Sequence, residues 1–310
     1  MKPRASVIIP TYNRRELLRR ALLALAESTV PFEDFEVIVV DDGSTDGTTE
    51  MINSLGLPYD LAYERHERKG PAGARNLAIK LARGEIMIFI DSDILVVPEF
   101  VGAHLAAHKE PKVVAVGPVV HTDNLDDPYS TPFKLTDISG AFFATGNASV
   151  AKEHLLEAGL FDEAFNQYGW EDLELGHRLR KLGLRKVKVP EAVGYHYKER
   201  LKVASLPRHR RREWERGRMA VVFVEKDPSW ATRLQVEMSP IMFGLDRLLS
   251  IGNWPNAQCT QRWLQALEDR GWHWLVRVLV RLITHHDYME GMREALRERE
   301  GARKGRLSDN

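Results

Sequence analysis

The sequence predicts an α/β fold: a Rossmann-like, mostly parallel sheet with helices on both faces, followed by a C-terminal helical region. Two observations carry this. Over the first two-thirds, short β-branched runs alternate with helix-length periods. From about Leu206 the strand signals stop, and helical stretches rich in Arg, Leu and Trp run on to the end.

The strand candidates are residues 6–10, 36–40, 85–90 and 112–120, each uniformly apolar rather than alternating. That pattern belongs to strands covered on both faces. Between them lie helical periods at 15–26, 45–54, 72–82 and 99–108. Sheets of this kind gather ligands at the carboxyl ends of their strands. The polar clusters Thr11-Tyr12-Asn13, Asp41-Asp42-Gly43-Ser44 and Asp91-Ser92-Asp93 each follow a buried strand directly. The organisation expected is a catalytic domain over 1–204, a helical subdomain over 205–300 punctuated by Pro228, Pro240 and Pro255, and a polar, frayed tail over 301–310.

Composition narrows the classes. Lys plus Arg equals Asp plus Glu at 44 each, so global charge points to no nucleic-acid partner. Cys259 is the only cysteine, which rules out an intramolecular disulfide and a Cys-based zinc site. The first apolar run, Ala5 to Pro10, is too short for a signal h-region, and no stretch reads as a spanning helix. A cytoplasmic location is the expectation.

Asp91-Ser92-Asp93 is the sharpest feature. Two carboxylates flanking one small residue at a strand end can hold a hard cation, with phosphate oxygens completing the shell. Such a cation, Mn²⁺ or Mg²⁺, would neutralise a departing diphosphate. Asp is also common in plain turns, but a turn does not require the preceding buried run. In Asp41-Asp42-Gly43-Ser44-Thr45-Asp46, Ser44 or Thr45 is expected to cap the next helix, and a carboxylate can accept the imide N–H of a uracil base. The small residues of Gly70-Pro71-Ala72-Gly73 allow a ligand to approach closely, and Arg75 can pair with a carboxylate of Asp91-Ser92-Asp93 or with the diphosphate. Glu171, Asp172 and Glu174 crowd a helix start, where acids are favoured electrostatically. The chemical alternative makes Asp172 a general base, with Glu171 its competitor. His196, at the end of a strand-like stretch, can complete a metal shell begun by Asp93.

Taken in order, Ser6 to Asn13, Val39 to Ser44, Ala74-Arg75-Asn76, Asp91-Ser92-Asp93 and Glu171-Asp172 resemble the family-2 glycosyltransferases, as does Gly159 to Glu163 ahead of the acidic pair. The resemblance covers about residues 5–200. It implies a GT-A fold, a nucleoside-diphosphate sugar donor (most often UDP-linked) and inversion at the anomeric carbon. Carried over by position, Pro10, Thr11, Tyr12, Asn13 and Asp42 form the nucleoside pocket, with Asp42 on the base. Arg75, Asp91 and Ser92 lie along the donor, Asp91 near the ribose or the metal. Asp93, Asp91 and His196 are implied as metal ligands, Asp172 as the base, and Gly146 and Asn147 as lining the donor-sugar or acceptor side. Acceptors in this family are glycans, lipid-linked groups or peptide side chains. Gln261-Arg262-Trp263 resembles only the end of the motif of membrane-bound synthases, so a processive polymerase is not expected. A nucleotidyltransferase would carry a Gly-rich basic loop where Pro10-Thr11-Tyr12-Asn13 stands, and a non-catalytic sugar-nucleotide binding module would not need the Glu-Asp pair.

The helical region says less. Arg208, Arg210, Arg211, Arg212, Arg216 and Arg218 crowd one stretch, read first as a solvated helix face. Residues 272–283 are apolar around most of the helix, with Arg277 and Arg281 on one side. A buried bundle helix or homodimer seam is the preferred reading; peripheral contact with the inner face of a membrane is the alternative.

Overall fold

The computed structural model describes residues 2–67, 69–198 and 202–308, with side chains to residue 302. The chain divides into two compact units, 1–166 with 171–199, and 167–170 with 200–310.

The first unit contains, in order, β1 (Ala5–Thr11), α1 (Arg15–Leu25), β2 (Phe35–Asp41), α2 (Thr48–Ser54), β3 (Asp60–Arg65), α3 (Gly70–Leu81), β4 (Ile86–Ile90), β5 (Ile94–Val96), α4 (Phe100–Ala107), β6 (Val113–Val116), β7 (Val119–Thr122), β8 (Asn147–Ala151), α5 (Lys152–Glu157), α6 (Glu171–Lys181), β9 (Arg185–Lys188) and β10 (Gly194–Tyr197). Seven strands form one sheet in the order β3-β2-β1-β4-β8-β6-β9. It is mostly parallel, as expected; β8 alone runs antiparallel to both its neighbours. A smaller sheet, β5-β10-β7, stands beside it.

The uniform apolar runs now have a cause. Val7, Ile9, Val37 and Val39 pack on one face with Leu18 and Leu22 of α1 and Phe100 of α4. Ile8, Ile38 and Val40 pack on the other with Ala74, Ala78 and Ile79 of α3 and Leu175 and Leu179 of α6. In α1 the buried Leu18, Ala21, Leu22 and Leu25 recur at three- and four-residue spacing, so one stripe meets the sheet.

The structure departs from the sequence reading in several places. Residues 112–120 are two strands in different sheets, parted at Gly117-Pro118. The helix expected from residue 45 begins at Thr48, because Gly47 adopts φ +84° just before it. Neither Ser44 nor Thr45 caps it. At Gly70, φ is +80° and a Cβ would stand 2.6 Å from the carbonyl oxygen of Asn166, so backbone packing explains this glycine without any ligand.

The second unit contains α7 (Leu206–Lys226), α8 (Trp230–Gln235), α9 (Pro240–Leu249), α10 (Thr260–Asp269) and α11 (His273–Ser308). The backbone of α11 runs on through Ser308; 309–310 lie outside the described residues. α7 and α11 cross at a pair of glycines. A Cβ on Gly217 would lie 1.9 Å from the carbonyl oxygen of Tyr288, and one on Gly291 would lie 2.1 Å from that of Trp214. The α7 arginines are spent locally. Arg210 pairs with Asp287, Arg211 with Glu215, Arg216 with Glu213 and Arg218 with Glu298, and Arg212 stacks on Tyr168. Val276, Val280 and Ile283 of α11 are buried with Leu264 of α10, as the bundle reading requires of one face. Among the described residues, no helix is long and apolar enough to cross a membrane.

Candidate active site

Chain order moves from β1 to β2 to β3 in one direction across the sheet and then returns to place β4 on the far side of β1. The switch point therefore lies between β1 and β4, the place at which sheets of this kind take ligands at their carboxyl ends. Those ends carry Thr11-Tyr12-Asn13, Asp41-Asp42 and Asp91-Ser92-Asp93.

The first two loops are laced together. The backbone N–H of Asp42 donates to the carbonyl of Thr11 at 2.9 Å. Asn13, at φ +50°, donates its N–H to Ser44 Oγ (2.8 Å) and accepts from the N–H of Thr45 at Oδ1 (2.8 Å). Pro10 lies within β1, the Thr11 hydroxyl is buried without a partner, and Tyr12 is exposed. The two aspartates divide their work. Asp41 is fully buried and accepts from the N–H of Ser44 (2.8 Å) and the hydroxyl of Tyr63 (2.7 Å). Asp42 accepts from the N–H groups of Lys69 (2.7 Å) and Gly70 (3.2 Å), thereby capping α3 from a neighbouring loop. Each of its oxygens retains a lone pair.

The residues named as metal ligands are split. β10 runs antiparallel to β5 with His196 opposite Ile94, which brings His196 Nε2 to 3.1 Å from Asp93 Oδ2. Arg14 donates to the same oxygen. Asp91 turns the other way: its Oδ1 accepts from Arg75 at 3.2 Å. Among the described residues, no three His, Cys, Asp or Glu side chains are grouped to hold a metal. Of the three residues named, Asp93 and His196 stand together, and Asp91 lies apart on Arg75. Ser92, between the two aspartates, is buried.

Arg75 is the hinge of the site. It is buried, with one guanidinium nitrogen on Asp91 and another 2.8 Å from Glu171 Oε1. One cation thus joins the β4 loop to the start of α6, which carries Glu171 and Asp172. The two acids are not equivalent. Glu171 is buried, held by Arg75 through one oxygen, with its other oxygen unpartnered. Asp172 keeps part of its surface accessible although protein crowds it on every side. Its Oδ1 accepts from the N–H of Leu173 (2.8 Å) and its Oδ2 only weakly from that of Thr145 (3.4 Å). Burial, and then the neighbouring Glu171 carboxylate, push the Asp172 carboxyl up to about 7; Arg75 and the two backbone donors offset part of this.

Gly146 stands beside Asp91. Asn147 is buried, with its side chain engaged within the fold. Its amide nitrogen donates to the carbonyls of Pro118 and Ala192, and its oxygen lies 2.9 Å from His104 Nε2. Burial pushes His104 down to about 4, so it stays neutral within this network. Sequence reasoning missed Arg14, which follows Asn13 directly, and the backbone N–H of Thr145, for which no side-chain signal exists.

Residues 6–155 match the model of glycosyl transferase family 2. That match takes in 150 of the 310 residues and identifies this stretch as glycosyltransferase family 2 sequence. The chain resembles the uncharacterised glycosyltransferase YfnE of Bacillus subtilis at 33% identity, over 58% of this chain and 61% of the relative. It is also 33% identical to validoxylamine A glucosyltransferase of Streptomyces hygroscopicus subsp. jinggangensis, over 59% and 52%. The chain thus spans between half and two-thirds of these relatives' length. Solved structures share the GT-A fold. A mannosyltransferase of Pyrobaculum calidifontis, in complex with GDP-Man and Mn²⁺, matches with a TM-score of 0.55 at 22% identity, over 96% of this chain and 88% of that one. TarS of Staphylococcus aureus in complex with UDP-GlcNAc gives 0.54 at 20% identity, over 95% and 91%.

Proposed function

We propose that this protein transfers a sugar from a nucleoside-diphosphate sugar, UDP-linked by preference, to an acceptor hydroxyl with inversion, using Asp172 as general base. The observation that carries the proposal is the link from the Asp91-Ser92-Asp93 loop through the single guanidinium of Arg75 to Glu171, the immediate neighbour of a raised, partly accessible Asp172. A base must be ionisable near neutrality and within reach of its substrate's proton. Asp172 meets the first condition and has an Oδ2 held by one long contact; Glu171 is committed to Arg75.

In the reaction, the acceptor oxygen attacks the anomeric carbon while Asp172 Oδ2 takes its proton. The bond from the anomeric carbon to the diphosphate oxygen breaks with its electron pair on the phosphate. Glu171 and Asp91 keep Arg75 oriented, and Arg75 in turn steadies Asp172 against its acidic neighbour. Asp42 and the Asn13–Ser44 lacing shape the nucleoside end. The pair Asp93 and His196, a carboxylate oxygen beside an imidazole nitrogen, fits a divalent cation and suits Mn²⁺ better than Mg²⁺. When bound, such a cation supplies charge neutralisation for the departing diphosphate. The solved relatives carrying GDP-Man with Mn²⁺ and UDP-GlcNAc support a nucleotide-sugar donor of this kind.

Calorimetric titration with UDP and GDP, each with and without Mn²⁺, tests the donor end. Metal-dependent binding that Asp93→Asn weakens supports the reading, and no binding by either nucleotide removes it.

A further inference from the structure

In α9 the usual sense of an amphipathic helix is inverted. Its one buried side chain is an acid, Asp246 (2% exposed), which is bonded to His286 and Arg293. Its exposed stripe is Ile241, Leu245, Leu248 and Leu249, at the four- and three-residue spacing of one helix face; Ile241 is 79% exposed and Leu248 63%. Neighbouring elements repeat the pattern, since Trp230, Ile251, Trp263, Trp272 and Trp274 are also exposed. Of the large hydrophobics exposed among the described residues, ten of seventeen fall between 230 and 274. A concentration of this kind marks a surface with an occupant rather than scattered surface leucines.

The charges say which occupant. Arg233, Arg247, Arg262, Arg270, Arg277 and Arg281 are exposed across this region, and none is in an ion pair among the described residues. The carboxylates of the same stretch are engaged within the unit: Glu237 with His285, Glu268 with the N–H of Val203, Asp269 with Gln265 and Asp246 as above. This is the reverse of α7, whose arginines have partners in the protein. The region therefore presents tryptophans, leucines and unpaired arginines together, without lysine.

We propose that α9 and its neighbours in the second unit dock on an anionic phospholipid surface. The leucine stripe would enter the acyl boundary, the indoles would sit at headgroup level, and the arginine stems would lie along the surface with their guanidinium groups on phosphates. A second copy of the chain is the weaker occupant, because a two-fold interface would set this cationic patch against itself.

Flotation with vesicles of phosphatidylglycerol and phosphatidylcholine, against phosphatidylcholine alone, decides the matter at low and high salt. The protein is expected to float with the anionic vesicles, and less so as salt rises. Leu245→Ser/Leu248→Ser should lower the partition by roughly tenfold or more with little change in the circular-dichroism melt, because the two residues are already 43% and 63% exposed. Arg247→Gln/Arg277→Gln/Arg281→Gln should remove the preference for anionic lipid. The proposal is overturned if the wild type stays unbound with phosphatidylglycerol. It is equally overturned if the leucine variant floats as the wild type does, or if size exclusion shows a stable dimer that this variant dissolves.

Discussion

Two acids side by side at the start of one helix are costly to ionise together, and the site resolves this by giving Glu171 the buried guanidinium and leaving Asp172 raised. A base raised to about 7 works only when deprotonated, so kcat/KM should climb with pH through about 7 with unit slope on a logarithmic plot. A profile already flat from pH ~5 upward would remove Asp172 from the role. Asp172→Asn should abolish transfer with donor affinity nearly intact, because the base acts in the transition state. The same shift has a stability sign. The fold favours the neutral acid over the ordinary 3.8, so its contribution is present below that value and is lost as pH rises towards 7. Asp172→Asn should therefore melt higher than the wild type near pH ~8, by roughly 2–4 °C, and match it at low pH, as a thermal scan at both would show. Arg75→Lys keeps the charge but cannot span Asp91 and Glu171 with one planar fork, and a drop in kcat/KM of roughly 10–100-fold is expected in steady-state assays.

At the scale of elements, what could be read from sequence depended on where an element buries its side chains. β1, β2 and β4 feed two cores at once, so their runs are apolar throughout and were legible, and with them the polar clusters at their ends. β3 is half exposed at the sheet edge and lacks that signature. β8 hides Asn147 and Ser149, whose buried polar atoms meet His104 of α4, His108 just past its end and the carbonyls of Pro118 and Ala192; no local pattern announces such a long-range network. The site shows the same division. Motif position singled out Asp93 and Asp172 as candidates, whereas Arg14 on Asp93, Asp91 on Arg75 and the capping of α3 by Asp42 depend on tertiary geometry. In the second unit, the glycines at the crossing of α7 and α11 carry no composition signal but fix the approach of two helices. Gly217→Ala should lower stability by about 1–3 kcal/mol, read as a fall in Tm, because its methyl would meet a backbone carbonyl that cannot swing aside.

For the whole molecule, the consequential fact is that the two units have separate hydrophobic cores. One set lies on either face of the large sheet; another lies among Val203, Leu206, Leu264, Val276, Val280 and Ile283. All the site residues discussed above fall in the first unit. A ligand that binds only the folded form stabilises what it binds by mass action, about 2.7 kcal/mol at a hundred times its Kd. UDP with Mn²⁺ should therefore slow amide hydrogen exchange in β1, β4 and the start of α6. The backbone amides between Val276 and Ile283, protected by the second core, should exchange as before. Vesicles of phosphatidylglycerol should do the converse, slowing exchange in α9 and leaving β1 and β4 unchanged. Hydrogen-exchange mass spectrometry with each ligand alone and with both distinguishes this from a coupled molecule: if nucleotide protects α9, or vesicles protect β4, the two binding functions share one cooperative unit and must be read as linked equilibria.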